Sequence, residues 1–476
     1  MPTYHSNQLQ LPLKVVSTVH RFSFVDLFAG IGGFRIALEK LGGKCRAYSE
    51  IDKEAIKVYQ QNFINYLTQD EPSLGDITQV EAFPDNIDLV VGGVPCQPWS
   101  VAGQLKGFAD PRGKLWFDVV RLIKQSQPKA FIFENVRGLA NPKNRDSFEF
   151  LLQQFTTIGY QVKWNILNAY DFGLPQNRER VFIVGIRQDI ANAEEYEFPS
   201  PLNLNPKVLD ILDEFKNHQL PQKAKLDPDV IFKNNNIPPS RTRFQKSNEL
   251  NDFFIFSDLR NGHTTIHSWD ILETTAREKE ICLTLLKNRR RKKYGKKDGN
   301  PLALEHFQEF IPDLCPSELE ELVNKNIFRK TDNNKYEFVN SKNMSGINGV
   351  YRIILPNCDV VPTLTATGSK NFYATCFLNA DNPEDYKKKF LKRIYKQQKY
   401  KPFTAQHACK LQGFPEDFVL HSHDKTAQKQ FGNAVPVPVV FHVAKHLMKI
   451  ILNCSDNSNA QRSFVGLRYA SPNLLS

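Results

Sequence analysis

Cys96 sits in the tetrad Val94-Pro95-Cys96-Gln97, directly after the apolar run Asp88–Val94, and Glu134 closes the next apolar run, Ala130–Glu134. A cysteine in a loop after a strand is a candidate nucleophile once its thiolate is populated. Ligands of an open parallel sheet bind at the carboxyl ends of the strands, so both side chains would face one crevice. A thiolate paired with a carboxylic acid suits methyl transfer to carbon 5 of cytosine. That carbon is a poor nucleophile. A thiolate added at carbon 6 breaks the aromaticity and leaves an enamine able to attack a methyl group, so covalent catalysis splits one hard step into easier ones. Negative charge meanwhile flows into the ring, and a carboxyl group of raised pKa can hydrogen-bond or protonate ring nitrogen 3. Arg180 is a candidate cation for lowering the thiol pKa. The competing structural readings are an inert buried thiol for Cys96 and an ion pair with Arg137 for Glu134.

These residues need a sheet to hold them. From about 21 to 187, short apolar runs alternate with amphipathic segments, which predicts a doubly wound α/β sheet. The strand candidates are Phe24–Phe28, Ala47–Ile51, Asp88–Val94, Lys129–Phe133, Val162–Leu167 and Arg180–Ile186; helices are expected at Phe34–Leu41, Lys53–Asn62, Leu115–Ser126 and Asp146–Thr157. From 188 to 424, Pro, Asn and Lys become frequent and periodicity is poor, as expected of a second, irregular domain. Residues 425–455 hold a glycine turn and the apolar helical stretch Val435–Ile451, expected to return to the first domain.

The turn Asp26–Phe34 follows a strand and opens a helix, and its glycines let backbone approach a ligand closely. A dinucleotide fingerprint needs a third glycine where Arg35 stands, which disfavours NAD. Glu50, at the tip of the second strand, is placed to accept from ribose hydroxyls. Asp76 in Gly75-Asp76-Ile77 can read an adenine amino group or simply cap a helix.

The ordered blocks Asp26–Phe34, Ser49–Asp52, Gly75–Ile77, Gly93–Ser100, Glu134–Leu139, Gln176–Arg180, Leu411–Pro415 and Gln430–Pro436 resemble the cytosine-C5 DNA methyltransferase family, in particular bacterial type II modification methylases. The resemblance implies a Rossmann-like catalytic domain with a smaller target recognition domain, and S-adenosylmethionine as cofactor. It implies that Phe28 stacks near the adenine, Glu50 holds the ribose and Asp76 binds the adenine edge. Gly30, Gly32 and Asn433 would flank the methionine portion, and Ile51, Ile77 and Pro95 complete the expected cofactor contacts. Ile51 stands where many family members carry an aromatic residue. By resemblance Cys96, Glu134 and Arg180 are catalytic, Arg180 contacting the ring oxygen and Arg178 supporting the site. The target cytosine must leave the duplex stack. The loop from Gln97 to about Lys114, with Gly103, Gly107 and Gly113 as hinges, would close over it, with Ser100 and Arg112 contacting the DNA backbone.

The partner implied is double-stranded DNA. The formal charge of +11 over 476 residues favours a polyanion. Two basic clusters suit phosphate contacts, Arg289, Arg290 and Arg291 through Lys297, and Lys387 through Lys401 with interleaved Tyr386, Tyr395 and Tyr400. A solvated charged face is the bland reading of either cluster. Thr365, in Pro362–Gly368, is expected near the flipped base or a groove. The 8 Cys, none in a C-x-x-C pair, argue against structural zinc and a disulfide scaffold and for a reducing compartment. No secretory signal, membrane span or metal site is expected. The expected setting is the cytoplasm of a bacterium, bound to the nucleoid, as a monomer, with a cognate restriction endonuclease acting on the same site. A tRNA cytosine-5 methyltransferase is the rival enzyme, disfavoured by the long 188–424 region. A non-catalytic DNA-binding regulator is the rival from another class.

Overall fold

The computed structural model describes residues 20–63, 71–95, 111–204, 206–215, 254–256, 272–296, 299–339, 352–356, 360–366, 371–378 and 383–453. The chain forms two compact units. Of the described residues, the larger holds those within 20–204, 363–366 and 408–453, and the smaller those within 206–362 and 371–407.

The larger unit is built on β1 (Phe22–Leu27), α1 (Gly33–Glu39), β2 (Gly43–Ser49), α2 (Lys53–Phe63), β3 (Leu89–Gly93), α3 (Leu115–Ser126), β4 (Ala130–Val136), α4 (Arg145–Thr157), β5 (Tyr160–Asn168), the short β6 (Gln176–Asn177) and β7 (Glu179–Arg187). The six-stranded sheet runs β2-β1-β3-β4-β7-β5. Its first four strands are parallel and its last two join antiparallel, so the sheet is mixed. β1, β3 and β4 are buried almost throughout and mostly apolar, because helices cover both faces of the parallel part; Asp26, Glu134 and Asn135 are the buried polar exceptions. On α3, Trp116, Val119, Leu122 and Ile123 recur at helical spacing and are buried, with Trp116 set edge-on to Phe133 at 5.7 Å. α3 stops at Gln127, whose left-handed backbone (φ 44°) caps it. The strand order reverses between β1 and β3, and the crevice at their carboxyl ends is where such sheets bind ligands.

The units divide at different points from the expected 188 and 424. Residues 188–204 stay with the sheet because Lys163 Nζ on β5 donates to the Glu194 and Tyr196 carbonyls at 2.6 and 2.7 Å. Residues 408–424 stay with it because Asn62 on α2 exchanges two hydrogen bonds with the Val419 backbone. The chain then enters α10 (Asp424–Asn433) and α11 (Val437–Asn453), the latter packing on α1. Asp424–Leu452 is long and apolar enough, by length and composition, to cross a membrane, in contrast to the expectation of no such stretch. Val440, Val443, Ala444 and Leu447 of that segment are fully buried within the protein.

In the smaller unit, β8 (Phe254–Phe256), β11 (Arg352–Ile354), β13 (Asn371–Ala374) and β14 (Tyr400–Pro402) form a sheet in the order β14-β13-β11-β8, accompanied by α8 (Pro383–Phe390). Within it, residues 272–339 are more regular than the sequence reading allowed. α5 (Ala276–Asn288), α6 (Leu304–Gln308), α7 (Pro316–Asn324) and the hairpin β9 (Phe328–Lys330) with β10 (Tyr336–Phe338) enclose their own core. The overlooked signals were local. Thr275 and Glu278 form a reciprocal capping box at the head of α5, and Pro316 occupies the first turn of α7.

Candidate active site

The turn between β1 and α1 is shaped by left-handed backbone at Phe28 (φ 54°), Gly30 (φ 56°) and Gly32 (φ 89°). Phe28 is the costly member, since a residue with a Cβ gives up about 1–2 kcal/mol in that region; such strain persists where its surroundings over-determine it. Here the Ala29 amide donates to the Ser49 carbonyl at 2.9 Å and the Gly30 amide to Glu50 Oε2 at 2.9 Å. Glu50 Oε1 takes the Ile51 and Asp52 amides, each at 2.8 Å. Glu50 therefore locks the turn to the tip of β2. Asp76 Oδ1 caps a short turn by accepting from the Thr78 amide at 3.0 Å, and its Oδ2 takes no hydrogen bond from the described residues.

Arg35, at the position that argued against a dinucleotide, is an internal clamp. It is buried, pairs with Glu39 at 2.7 Å and with Glu71, donates to Tyr59 Oη at 3.1 Å and lies over the Phe63 ring. Near it Asp26 is fully buried, and among the described residues neither oxygen has a well-aligned hydrogen-bond donor, although the Arg35 backbone lowers its pKa. Burial, opposed by Arg35, pushes its carboxyl up from 3.8 to about 8. Because the folded-state pKa is the higher one, protonated Asp26 favours the fold fully below about pH 4, and that contribution is lost as pH rises through about 8. Asp26→Asn is expected to flatten the decline of Tm between about pH 4 and about pH 8; a decline as steep as wild type would show that Asp26 is not the group responsible.

These elements enclose a cavity of about 570 Å³. Phe28, Gly30, Glu50, Ile51, Asp76, Ile77, Pro95 and Asn433 all line it, and so do Glu134, Arg178 and Arg180. Gly32 does not: a Cβ there would collide with the Phe63 ring, so this glycine serves packing, and Gly33 lines the wall instead. Ile51 is 70% exposed, an apolar side chain left open at the cavity. Leu115, Lys429, Gln430 and Val435 also line it; Gln430 and Val435 fall within the block Gln430–Pro436, but the sequence assigns none of the four an individual role.

The catalytic end is set by strand register. Glu134 pairs with Gly93 on β3 and with Phe182 on β7, while Arg180 pairs with Val136. Glu134 and Arg180 are thus diagonal neighbours. Arg180 Nε lies 2.9 Å from Glu134 Oε1, without the alignment of a hydrogen bond. Burial raises the Glu134 pKa, opposed by Arg180 and then Arg178. Arg137 pairs with Glu179 instead, removing it as the Glu134 partner. Asn135, buried beside Glu134, donates from Nδ2 to the Val94 carbonyl at 3.1 Å and fixes the chain entering the Cys96 loop. Cys96 and Ser100 lie outside the described residues, as does the side chain of Arg112.

Arg178 is a staple. Its guanidinium donates to the Leu364, Gly432 and Ala434 carbonyls at 3.0, 3.1 and 2.7 Å. Gln176 adds a bond to the Leu411 carbonyl and accepts from the Leu364 amide. Together they hold residues 363–366 against the turn after α10, where a Cβ on Gly432 would strike the Thr365 backbone. Thr365 itself is exposed. The basic cluster after α5 divides: Arg290 and Arg291 are exposed, but Arg289 is buried, 5.8 Å over the Phe338 ring. Its expected phosphate role is corrected to a packing role.

The chain matches the family described as C-5 cytosine-specific DNA methylase over residues 22–449. It is 44% identical to the type II methylase M.HgiEI of Herpetosiphon aurantiacus over 437 residues, 91% of this chain and 98% of that one. It is 31% identical to the type II methyltransferase M.BanI of Aneurinibacillus aneurinilyticus over 458 residues, 91% of this chain and 97% of that one. With the type II methyltransferase M.HhaI of Haemophilus parahaemolyticus it shares 41% identity over 191 residues, 40% of this chain and 56% of that one.

Proposed function

Since the chain belongs to the C-5 cytosine-specific DNA methylase family, and is thereby an S-adenosylmethionine-dependent DNA (cytosine-5-)-methyltransferase, we propose that the cavity at the β1/β3 crevice is its active site. We further propose that it is the modification enzyme of a type II restriction system, working as a monomer on nucleoid DNA in the cytoplasm beside an endonuclease that cuts the same sequence.

The observation that carries this reading is the join between two ends of one cavity. One end offers Phe28, Ile51, Glu50 and Asp76; the other offers Glu134 and Arg180 at the head of the Cys96 loop. The volume suits a nucleoside-sized ligand. Phe28 and Ile51 would sandwich the adenine, Glu50 would take the ribose hydroxyls, and Asp76 Oδ2 would take the adenine amino group, with Gly30 and Asn433 beside the methionine portion. When bound, S-adenosylmethionine supplies an electrophilic methyl group. Cys96 would add to carbon 6 of the flipped cytosine, and its thiolate would leave again once methylated carbon 5 has given its proton to water. Glu134 would hold or deliver a proton at ring nitrogen 3, the raised pKa keeping that proton available. Arg180 would orient Glu134 and contact the ring oxygen. Arg178 is a positioning residue, acting through the 363–366 segment and the Asn433 turn. Thr365 supports an approach to the base, and Ser100, Arg112, Arg290 and Arg291 are proposed backbone contacts.

The test is incubation with labelled S-adenosylmethionine and plasmid DNA, digestion to nucleosides, and bisulfite mapping. Label is expected in 5-methylcytosine at one short sequence. Label in tRNA and none in DNA would replace this reading with the RNA enzyme; DNA binding without label would favour the regulator.

A further inference from the structure

Residues 272–339 run α5, a one-residue β-bridge at Leu302, α6, α7, then the β9–β10 hairpin. Leu302 and Tyr336 exchange backbone hydrogen bonds at 3.0 and 2.7 Å, adding Leu302 to the hairpin as a third edge. This is the order of a winged helix-turn-helix, in which the second helix of the turn, here α7, ordinarily enters the major groove. Leu285, Leu302, Phe307, Leu319, Phe328 and Phe338 knit its core.

The charges run against that use of α7. It carries Glu318, Glu320 and Glu321 and no cation. Glu318 is engaged by Arg277 at 2.9 Å, and Glu320 by Lys330 and the Tyr336 hydroxyl at 2.9 and 2.8 Å. In a major groove a carboxylate finds donors only in the amino groups of cytosine and adenine, among many acceptors, and it meets phosphates on both sides. The cations gather instead on the turn after α5. From Lys287 to Lys297 there are eight basic residues and no acid. Arg290, Arg291, Lys292 and Lys296 are exposed. The turn is built to hold its shape: the Arg289 carbonyl accepts from the Asn300 amide and Nδ2 at 2.7 and 3.0 Å, and Arg291 lies 5.3 Å over the Phe310 ring.

We propose that residues 272–339 are a winged-helix clamp that grips duplex DNA by its phosphates through the turn Arg290–Lys296, with α7 excluded from base reading. The clamp adds affinity common to all sequences, and base discrimination belongs to other parts of the chain. This rests on duplex DNA being the substrate and deepens that reading.

The test uses the full-length protein with Arg290→Gln, Arg291→Gln, Lys292→Gln and Lys296→Gln combined, and separately Glu321→Gln. Equilibrium binding is measured across a salt series on a duplex carrying the mapped methylation sequence and on a scrambled duplex. Losing four phosphate contacts is expected to make the log–log salt slope shallower by about 3 to 4. Both duplexes should weaken by the same factor. Glu321→Gln should leave the ratio between duplexes unchanged. An unaltered slope and affinity in the fourfold variant overturns the proposal. So does a loss confined to the methylated sequence in either variant, which would make this module a base reader. A wild-type protein that binds DNA without methylating it would instead fail the assignment of function and leave the clamp measurable.

Discussion

Cys96→Ser is expected to abolish turnover while leaving DNA affinity close to wild type. The hydroxyl of serine is far less acidic than a thiol, so no comparable population of anion exists near neutral pH to add at carbon 6. The adduct itself gives a direct readout. On a duplex with 5-fluorocytosine at the target position, carbon 5 has no proton to surrender after methylation, so the Cys96 sulfur stays bonded to carbon 6. Wild type should yield a denaturation-resistant protein–DNA adduct, and Cys96→Ser should yield none. Methylation by the serine variant at the wild-type rate would sink the covalent mechanism, and an adduct formed by that variant would assign the nucleophile elsewhere.

Glu134→Gln is expected to lower kcat by about 10²- to 10⁴-fold, the range of a positioned acid–base group. The amide keeps the shape and can donate a hydrogen bond to ring nitrogen 3, but it has no proton to give up. Burial raises the Glu134 pKa, so the protonated form persists further up the pH scale than for an ordinary glutamate. Wild-type kcat should therefore fall as pH rises through that raised value, and the glutamine variant should lose this limb. Rate measurements at saturating DNA and cofactor across pH separate this from an affinity effect. A kcat for Glu134→Gln equal to wild type, or a pH limb retained in it, would remove Glu134 from proton handling and leave it as a partner for Arg180.

Much of this site could be read from the chain because its parts are local. A strand, a glycine turn and a helix are contiguous in sequence, so the position of Glu50 and Asp76 after their strands marks them as candidates, while Phe28 and Gly30 are named by the resemblance to the family. Pairing across the sheet could not. Arg137 is nearer to Glu134 in sequence, yet register gives Arg180 to Glu134 and leaves Arg137 to Glu179. Asn135 hid for the same reason: its partner is a backbone carbonyl on another strand. Gly32 is given a ligand role by the resemblance and Arg289 by its place in a basic run, whereas a Cβ on Gly32 would strike the Phe63 ring and Arg289 is buried. The 272–339 module escaped because its helices are short and its charges dense, so composition hid a weak periodicity.

Residues 363–366 lie in sequence amid the smaller unit, yet fold with the larger, stapled by Gln176 and Arg178. The exchangeable part of this protein is therefore not one continuous cassette. A chimera that borrows another specificity across residues 205–407 would carry a foreign stretch into the grip of Arg178, and would need to keep Leu364 and Thr365 native to leave the catalytic wall intact.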